Sequence, residues 1–482
     1  GAFDHGTPEV QGRLADLDLK VPSLAAYQQD IATRPIMLYV PSHDAQLHAF
    51  RIDRVNGSVQ DVTWGREEWA FIPPHALGKL PELPNGRTTL LDGTPIVKDV
   101  LFSRSFAGLG TEASTDWHSI LLVPDRAGGR GLFALDVTDP TPGNWHFLWE
   151  VSAENGRCPE GQACIPNNPM DRSEDYSRLG ATWGRPQIGT VQVCQDDSVT
   201  CTTLGLQERA VAVIPGGSGE GLAAGSGRTV LVLDLETGQI LRDFRSDDPT
   251  VENDLSPSRH DIDADMVGDV ACYSTMTGTF ISRCFMGDKA GRLWRLETGS
   301  RSWSEWRLSL FYDPYRSFGL PIGLNSPIRS PAYEAPALAL IPSTNQLAVV
   351  YGSGDMDNLE CTLLKSLRRD FVVSLTEDIT SGATRPALPT CPPWNDSLTP
   401  FWFMRENPYD ETTARYKWVG PKVNWKKFLG YSQGLALEPG AVPCERMMGA
   451  PVIFSNVLYF TTFSPDETVP CSPGIGKLYG TD

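Results

Sequence analysis

The chain has 482 residues, 40% of them hydrophobic and 21% charged, with a formal net charge of −18. A surface that negative repels phosphate backbones and anionic lipid, which argues against nucleic acid as a partner and is compatible with divalent cations. No run of about 18 apolar residues occurs, so no membrane-spanning helix is expected.

Length alone suggests about three domains, but repeat folds grow by adding units to one body. The 45 Gly and 38 Pro suit many strands joined by tight turns. Gly1-Ala2-Phe3-Asp4 lacks a basic, apolar leader, so any signal peptide is expected to have been removed or never to have been present.

In chain order, residues 1–33 read as an N-terminal extension or linker, with one or two helical turns between residues 14 and 27. From residue 34 two elements alternate. One is a proline followed by an apolar strand: Pro35-Ile36, Pro95-Ile96-Val97, Pro186-Gln187-Ile188, Pro336-Ala337-Leu338 and Pro451-Val452-Ile453. Proline suits a strand start, where no ladder donor is needed. The other is an apolar run ending in a polar turn. It appears at Leu47-His48-Ala49-Phe50, Leu132-Phe133-Ala134-Leu135-Asp136 and Val230-Leu231-Val232-Leu233-Asp234. It returns at Leu293-Trp294-Arg295-Leu296-Glu297, Phe371-Val372-Val373-Ser374-Leu375 and Leu478-Tyr479-Gly480-Thr481-Asp482.

Several runs alternate with the period of a half-buried strand. Glu236-Thr237-Gly238 and Glu297-Thr298-Gly299 signal turns between antiparallel strands. Residues 72–77 open a short helix after their prolines, and 360–369 suit helix or loop. Six units are visible, and the first and last look incomplete, as in a ring closed by strands from both ends. They recur at roughly 60–90 residues, longer than a propeller blade of about 40–50, the excess lying in long loops. The fold class is all-β. A β-propeller over 34–482 is favoured over a β-sandwich or β-solenoid, because a sandwich this long needs linkers and none is visible.

The ten cysteines fall as Cys158/Cys164, Cys194/Cys201, Cys272/Cys284, Cys361/Cys391 and Cys444/Cys471. Nearest-neighbour bridging is the simplest connectivity, and an even count in local pairs points to an oxidising, extracytoplasmic compartment. No pair has zinc-ligand spacing. Each short bridge contributes roughly 2–3 kcal/mol in the chain-entropy account, enough to pin a loop.

The strongest chemical motif is Asp261-Ile262-Asp263-Ala264-Asp265-Met266-Val267-Gly268-Asp269. Aspartates at positions 1, 3, 5 and 9 with the Val267 carbonyl at position 7 follow the order of a calcium loop, and calcium takes six to eight oxygens. Met266 stands where a sharp turn favours Gly, which predicts backbone strain or a shifted turn. Cys272 stands where a bidentate Glu belongs, which predicts fewer protein ligands.

Asp355-Met356-Asp357 with Glu360 reads as a solvated turn. Residues 216–221 lack the Lys-Ser/Thr of a phosphate loop. The histidines His5, His43, His48, His75, His118, His146 and His260 form no ligand pair, and no Gly-x-Ser-x-Gly elbow occurs. Trp149, Trp294 and Trp306 read as strand aromatics. No catalytic centre is apparent.

Arg34-Pro35-Ile36-Met37-Leu38-Tyr39-Val40 followed by Leu47-His48-Ala49-Phe50 resembles the opening of the PilC/PilY-type proteins of type IV pili. The resemblance continues through Trp69-Ala70-Phe71-Ile72-Pro73-Pro74, Asp92-Gly93-Thr94-Pro95 and Gly128-Gly129-Arg130-Gly131-Leu132-Phe133. It resumes at the Asp loop, at Gly287-Asp288 with Gly291-Arg292-Leu293-Trp294, at Gly352-Ser353-Gly354 and at Phe460-Thr461-Thr462-Phe463 ahead of Cys471-Ser472.

It implies a modified seven-bladed propeller of a pilus-tip protein that acts in pilus assembly, adhesion and twitching. The implied partners are minor pilins and a host or abiotic surface, with passage through the periplasm and outer membrane to the pilus tip. It also implies calcium bound by Asp261, Asp263, Asp265, the Val267 carbonyl and Asp269, influencing extension and retraction. The chain departs from the family pattern in the insertion between Cys272 and Cys284, expected to cover the metal or decorate a rim. It has no Arg-Gly-Asp, and the family's variable N-terminal region is expected to lie outside it. The alternatives are a quinoprotein-like propeller dehydrogenase and a secreted protein- or glycan-binding propeller.

Overall fold

The computed structural model describes residues 6–13, 22–53, 64–85, 88–105, 113–202, 205–246, 248–253, 260–274, 280–315, 329–341, 343–344, 346–355, 370–378, 421–429, 444–465 and 474–481. Two compact units emerge. One comprises Gly1–Val251, His260–Cys284 and Leu296–Leu308, and the other Glu252–Arg259, Phe285–Arg295 and Ser309–Asp482.

The described strands form six sheets of three to five strands. In the first unit, the first sheet runs in the order Glu9–Gln11, Met37–Pro41, Leu47–Arg51 and Glu67–Phe71. The second is built from Ile96–Leu101, Trp117–Pro124, Gly131–Asp136, His146–Ser152 and Gly156–Pro159. The third holds Gln187–Cys194, Leu206–Pro215, Thr229–Asp234 and Ile240–Arg245, with Ser103–Ser105 added against Leu206–Pro215.

Central strands of the second sheet show why the sequence reads as continuous apolar runs. Ile120, Leu122, Leu132 and Ala134 pack with Ile188, Ala212, Ile214 and Leu231 of the third sheet. Their neighbours Leu121, Val123, Phe133 and Leu135 point the other way, onto Tyr39, Leu47, Ala49 and Trp69 of the first. Successive side chains leave a strand on opposite faces, so a sheet buried on both faces must be apolar at every position. Stacked blades require this, and a one-sided sandwich does not.

The second unit holds the fifth sheet, Ala337–Ile341, Gln346–Gly352, Phe371–Asp378 and Lys422–Phe428, and the sixth, Arg446–Phe454, Val457–Ser464 and Ile475–Thr481. Val350 and Val372 of the fifth pack with Met447, Leu458 and Phe460 of the sixth. The fourth sheet is built from Val251–Glu252, Arg307–Tyr312, Leu293–Glu297, Ile281–Gly287 and Ala271–Ser274.

One local device recurs. The residue after a central strand donates its N–H to the carbonyl just before, or at the start of, the next strand. This holds for Ser42 to Gln46 at 2.8 Å, Asp125 to Gly131 at 3.0 Å and Gly216 to Thr229 at 2.8 Å. It holds again for Asp288 to Arg292 at 3.0 Å and Ser353 to Phe371 at 2.9 Å. The turns differ in length under this common clasp, and the one closed by Gly216 is among the longer ones.

Several expectations need correcting. Within residues 1–33, read as an extension or linker, Glu9–Gln11 pairs with Met37–Pro41. The helix Pro22–Asp30 and the following turn bury Leu24, Tyr27 and Ile31 against Leu101 and Trp117. Among the described residues, Glu9–Gln11 adds to the first sheet and Ile475–Thr481 to the sixth. Pro451 lies inside Arg446–Phe454 at a register shift between Met448 and Val452, a bulge where a missing N–H costs nothing. Trp306 precedes its strand, capping the turn Trp303–Glu305. Residues 360–369 lie outside the described residues.

Candidate metal loop and its surroundings

The 261–269 loop lies within the first unit. Its core is apolar: Ile262 and Met266 have no exposed surface. Met266 is locked through its backbone, its N–H donating to Gly227 O at 2.9 Å and its carbonyl accepting from Gly217 N–H at 2.7 Å. The long turn between Leu206–Pro215 and Thr229–Asp234 thus forms the floor of the loop. Met266 has no left-handed φ, so the predicted strain is absent. The loop meets the turn edge-on and buries the methionine where a calcium loop would turn sharply.

Glycines make this approach possible. A Cβ on Gly217 would lie 1.8 Å from Ala181 O, and one on Gly184 would lie 2.4 Å from Gly268 O. Within residues 216–221 the turn is closely packed at Gly216, Gly217 and Gly219.

The carboxylates find partners on separate elements. Asp261 Oδ1 accepts from Ser246 Oγ at 2.6 Å. Asp265 Oδ2 accepts from Gly219 N–H at 2.8 Å, and its Oδ1 lies 3.7 Å from Arg228 Nε. Asp269 Oδ1 accepts from Arg185 N–H at 2.7 Å. Burial pushes the Asp269 carboxyl above the ordinary range, against the opposing pull of that N–H and of the Arg185 and Arg126 guanidiniums. Asp263 is exposed and Val267 is buried. Among the described residues, no group of three or more His, Cys, Asp or Glu side chains is gathered as a metal cluster. The donor set is the hard-oxygen chemistry calcium requires, arranged here on protein donors instead of on one point.

His260 turns away, its Nδ1 2.7 Å from Val251 O. The insertion after the loop forms two strands of the fourth sheet, Ala271–Ser274 and Ile281–Gly287, tied by Cys272–Cys284. Cys158–Cys164 and Cys194–Cys201 are bridged as predicted. Cys444 is disulfide-bonded, while Cys361, Cys391 and Cys471 lie outside the described residues, as do Met356, Asp357 and Glu360 of the second acidic group.

Two polar constellations escaped the sequence reading. His75 is buried between Asp125, 2.9 Å from its Nε2, and Glu150, 2.9 Å from its Nδ1. Its partners are 50 and 75 residues away, so no local spacing announces them. Ser42, His48 and Glu67 stand in the order of a serine–histidine–acid relay, with Ser42 Oγ 3.1 Å from His48 Nε2 and His48 Nδ1 2.7 Å from Glu67. Ser42 has no exposed surface and its hydroxyl donates to Asp44, so the relay offers no nucleophile to a substrate.

Over residues 86–366 the chain matches the PilY1 beta-propeller domain family. It is 25% identical to the type IV pilus biogenesis factor PilY1 of Pseudomonas aeruginosa, over 93% of this chain and 35% of that protein. A PilY1 homolog of Xylella fastidiosa is 26% identical, over 70% of this chain and 21% of its own length. The chain therefore spans at most about a third, 35%, of the length of these curated relatives. It shares its fold with the crystal structure of the Pseudomonas aeruginosa PilY1 C-terminal domain, at a TM-score of 0.58 and 18% identity, covering 97% of this chain and 85% of that one. With sheets buried on both faces and a family match over more than half its length, the chain belongs to the PilY1 β-propeller domain family.

Proposed function

We propose that this chain is the propeller of a pilus-tip factor that works by binding, without catalysis, in pilus assembly, extension and retraction control, and surface adhesion. The family match across the central sheets carries this reading. Minor pilins at the pilus tip are its partners in that role, and the site of action is the cell surface.

The second part of the proposal is that the 261–269 loop takes calcium through Asp261, Asp263, Asp265, the Val267 carbonyl and Asp269. Its support is the donor chemistry and the rigid floor under Met266. Binding requires Asp261, Asp265 and Asp269 to exchange hydrogen-bond donors for the cation, with Asp263 turning in. When bound, calcium neutralises carboxylates that otherwise repel one another.

The test has two arms. In the source bacterium, loss of the full-length protein should abolish surface pili and its return should restore them; normal piliation without it overturns the pilus role. For the purified chain, calcium at about 100 times its Kd should stabilise the native state by about 2.7 kcal/mol over chelator, and Asp263→Ala should remove that gain. A midpoint indifferent to calcium overturns the metal reading.

A further inference from the structure

Among the described residues, the sixth sheet has three strands where the others have four or five. We infer that its edge strand Ile475–Thr481 takes an added β-strand from another polypeptide, and that this strand brings a tryptophan to lie beside Gly480.

The register of the other sheets defines the added piece. In the first, second and fifth, the strand after the clasp pairs on its far side with a further antiparallel strand, Glu67–Phe71, His146–Ser152 and Lys422–Phe428. Each of these carries a tryptophan opposite a small residue: Trp69 faces Ala49, Trp149 faces Ala134 and Trp425 faces Ser374. On the other side the same small residues face Tyr39, Leu122 and Val350. All three tryptophans join the cores between sheets. In the third sheet the corresponding residue is the larger Val232, and it faces Arg242 instead.

The row in the sixth sheet begins in the same way, with Tyr459 opposite Gly480, and no described strand continues it. Gly480 holds third place in Leu478–Asp482, as Ala134 does in Leu132–Asp136 and Ala49 in Leu47–Phe50. Glycine is not required there by the backbone, because Gly480 has no left-handed φ. A Cβ on it would come no nearer than 3.4 Å to Tyr459, so the space beside it is open. The surrounding face is apolar and uncovered. Of the thirteen large hydrophobic side chains that stand exposed among the described residues, six lie on this sheet, with Leu478 at 70% and Phe454 at 69%. That exposure in the folded chain means the row is filled from outside it. Lys477, the one charged residue of the edge strand, is held by Glu445 at 3.0 Å and does not guard the edge. Strand addition draws affinity from main-chain hydrogen bonds and specificity from alternate side chains. The occupant is therefore an extended segment of five to seven residues, the length of the three strands it imitates, with an indole on the face of Tyr459 and Leu478.

Fluorescence polarisation with two dye-labelled peptides, copies of His146–Ser152 and Lys422–Phe428, titrated with the whole chain, tests this. At least one should bind saturably and slow amide exchange in Ile475–Thr481. Replacing its tryptophan by alanine, or Gly480→Val in the chain, should weaken binding at least about tenfold, as loss of an interface anchor does. The unfolding midpoint of Gly480→Val should stay near the native value, which shows that the fold is kept. Binding of neither peptide, or equal affinity for native and Gly480→Val chains, overturns the inference. So does self-association of the native chain that Gly480→Val abolishes, because the occupant would then be a second copy.

Discussion

His75 sits on the short helix Pro74–Leu77 with its ring between two acids. Burial alone would lower its pKa, but Asp125 and Glu150 outweigh that and raise it to about 10. An unfolded histidine titrates near 6.5, so between pH 6.5 and about 10 the native state holds a proton that the unfolded chain lacks. That stabilisation is complete below pH 6.5 and is lost as pH rises through about 10. Denaturant titrations of His75→Gln should show about 3 kcal/mol lost near pH 6.5, because two buried carboxylates lose their cation. The deficit should shrink towards pH 10. A deficit that does not change with pH would place His75 among residues that merely fill space.

Strands behave according to the face they present. In the sixth sheet Leu458, 6% exposed, points with Phe460 and Met447 into the core, while Leu478, 70% exposed, shares the opposite face with Met448, Val452 and Tyr459. Leu458→Ala should cost about 2–5 kcal/mol and Leu478→Ala less than about 0.5 kcal/mol, as read from unfolding midpoints. Equal costs would mean that the outer face is covered in solution. The pairing of chemistry with element was legible where a run was long: Leu132 to Asp136 could be read as a strand from its residues alone. The strand Glu9–Gln11 is too short for any period to register. Spacing made the four aspartates look convergent, yet their donors Ser246, Gly219 and Arg185 stand 15, 46 and 84 residues away. Local pattern brings like side chains onto one loop. It carries no information about which distant N–H groups the fold will deliver to them.

At the scale of the whole molecule, the three described bridges Cys158–Cys164, Cys194–Cys201 and Cys272–Cys284 all belong to the first unit. With closed loops this short, each contributes roughly 2–3 kcal/mol in the chain-entropy account. Calorimetry of the chain should show the first unit's transition shifting down when Cys272 and Cys284 are both changed to Ser, with the second unit's transition unmoved. A single transition moving as a whole would mean that the two units melt together. A last consequence comes from Ser103–Ser105, which continues from Ile96–Leu101 in the second sheet yet pairs with Gln207, Glu208 and Arg209 in the third. Blades joined in this way cannot be peeled apart one at a time. Tension applied to one passes along the covalent backbone into the ladder of the next, so several hydrogen bonds must fail at once. Under load, lifetime is set by the unfolding rate rather than by equilibrium stability, and a strand shared between blades slows that rate.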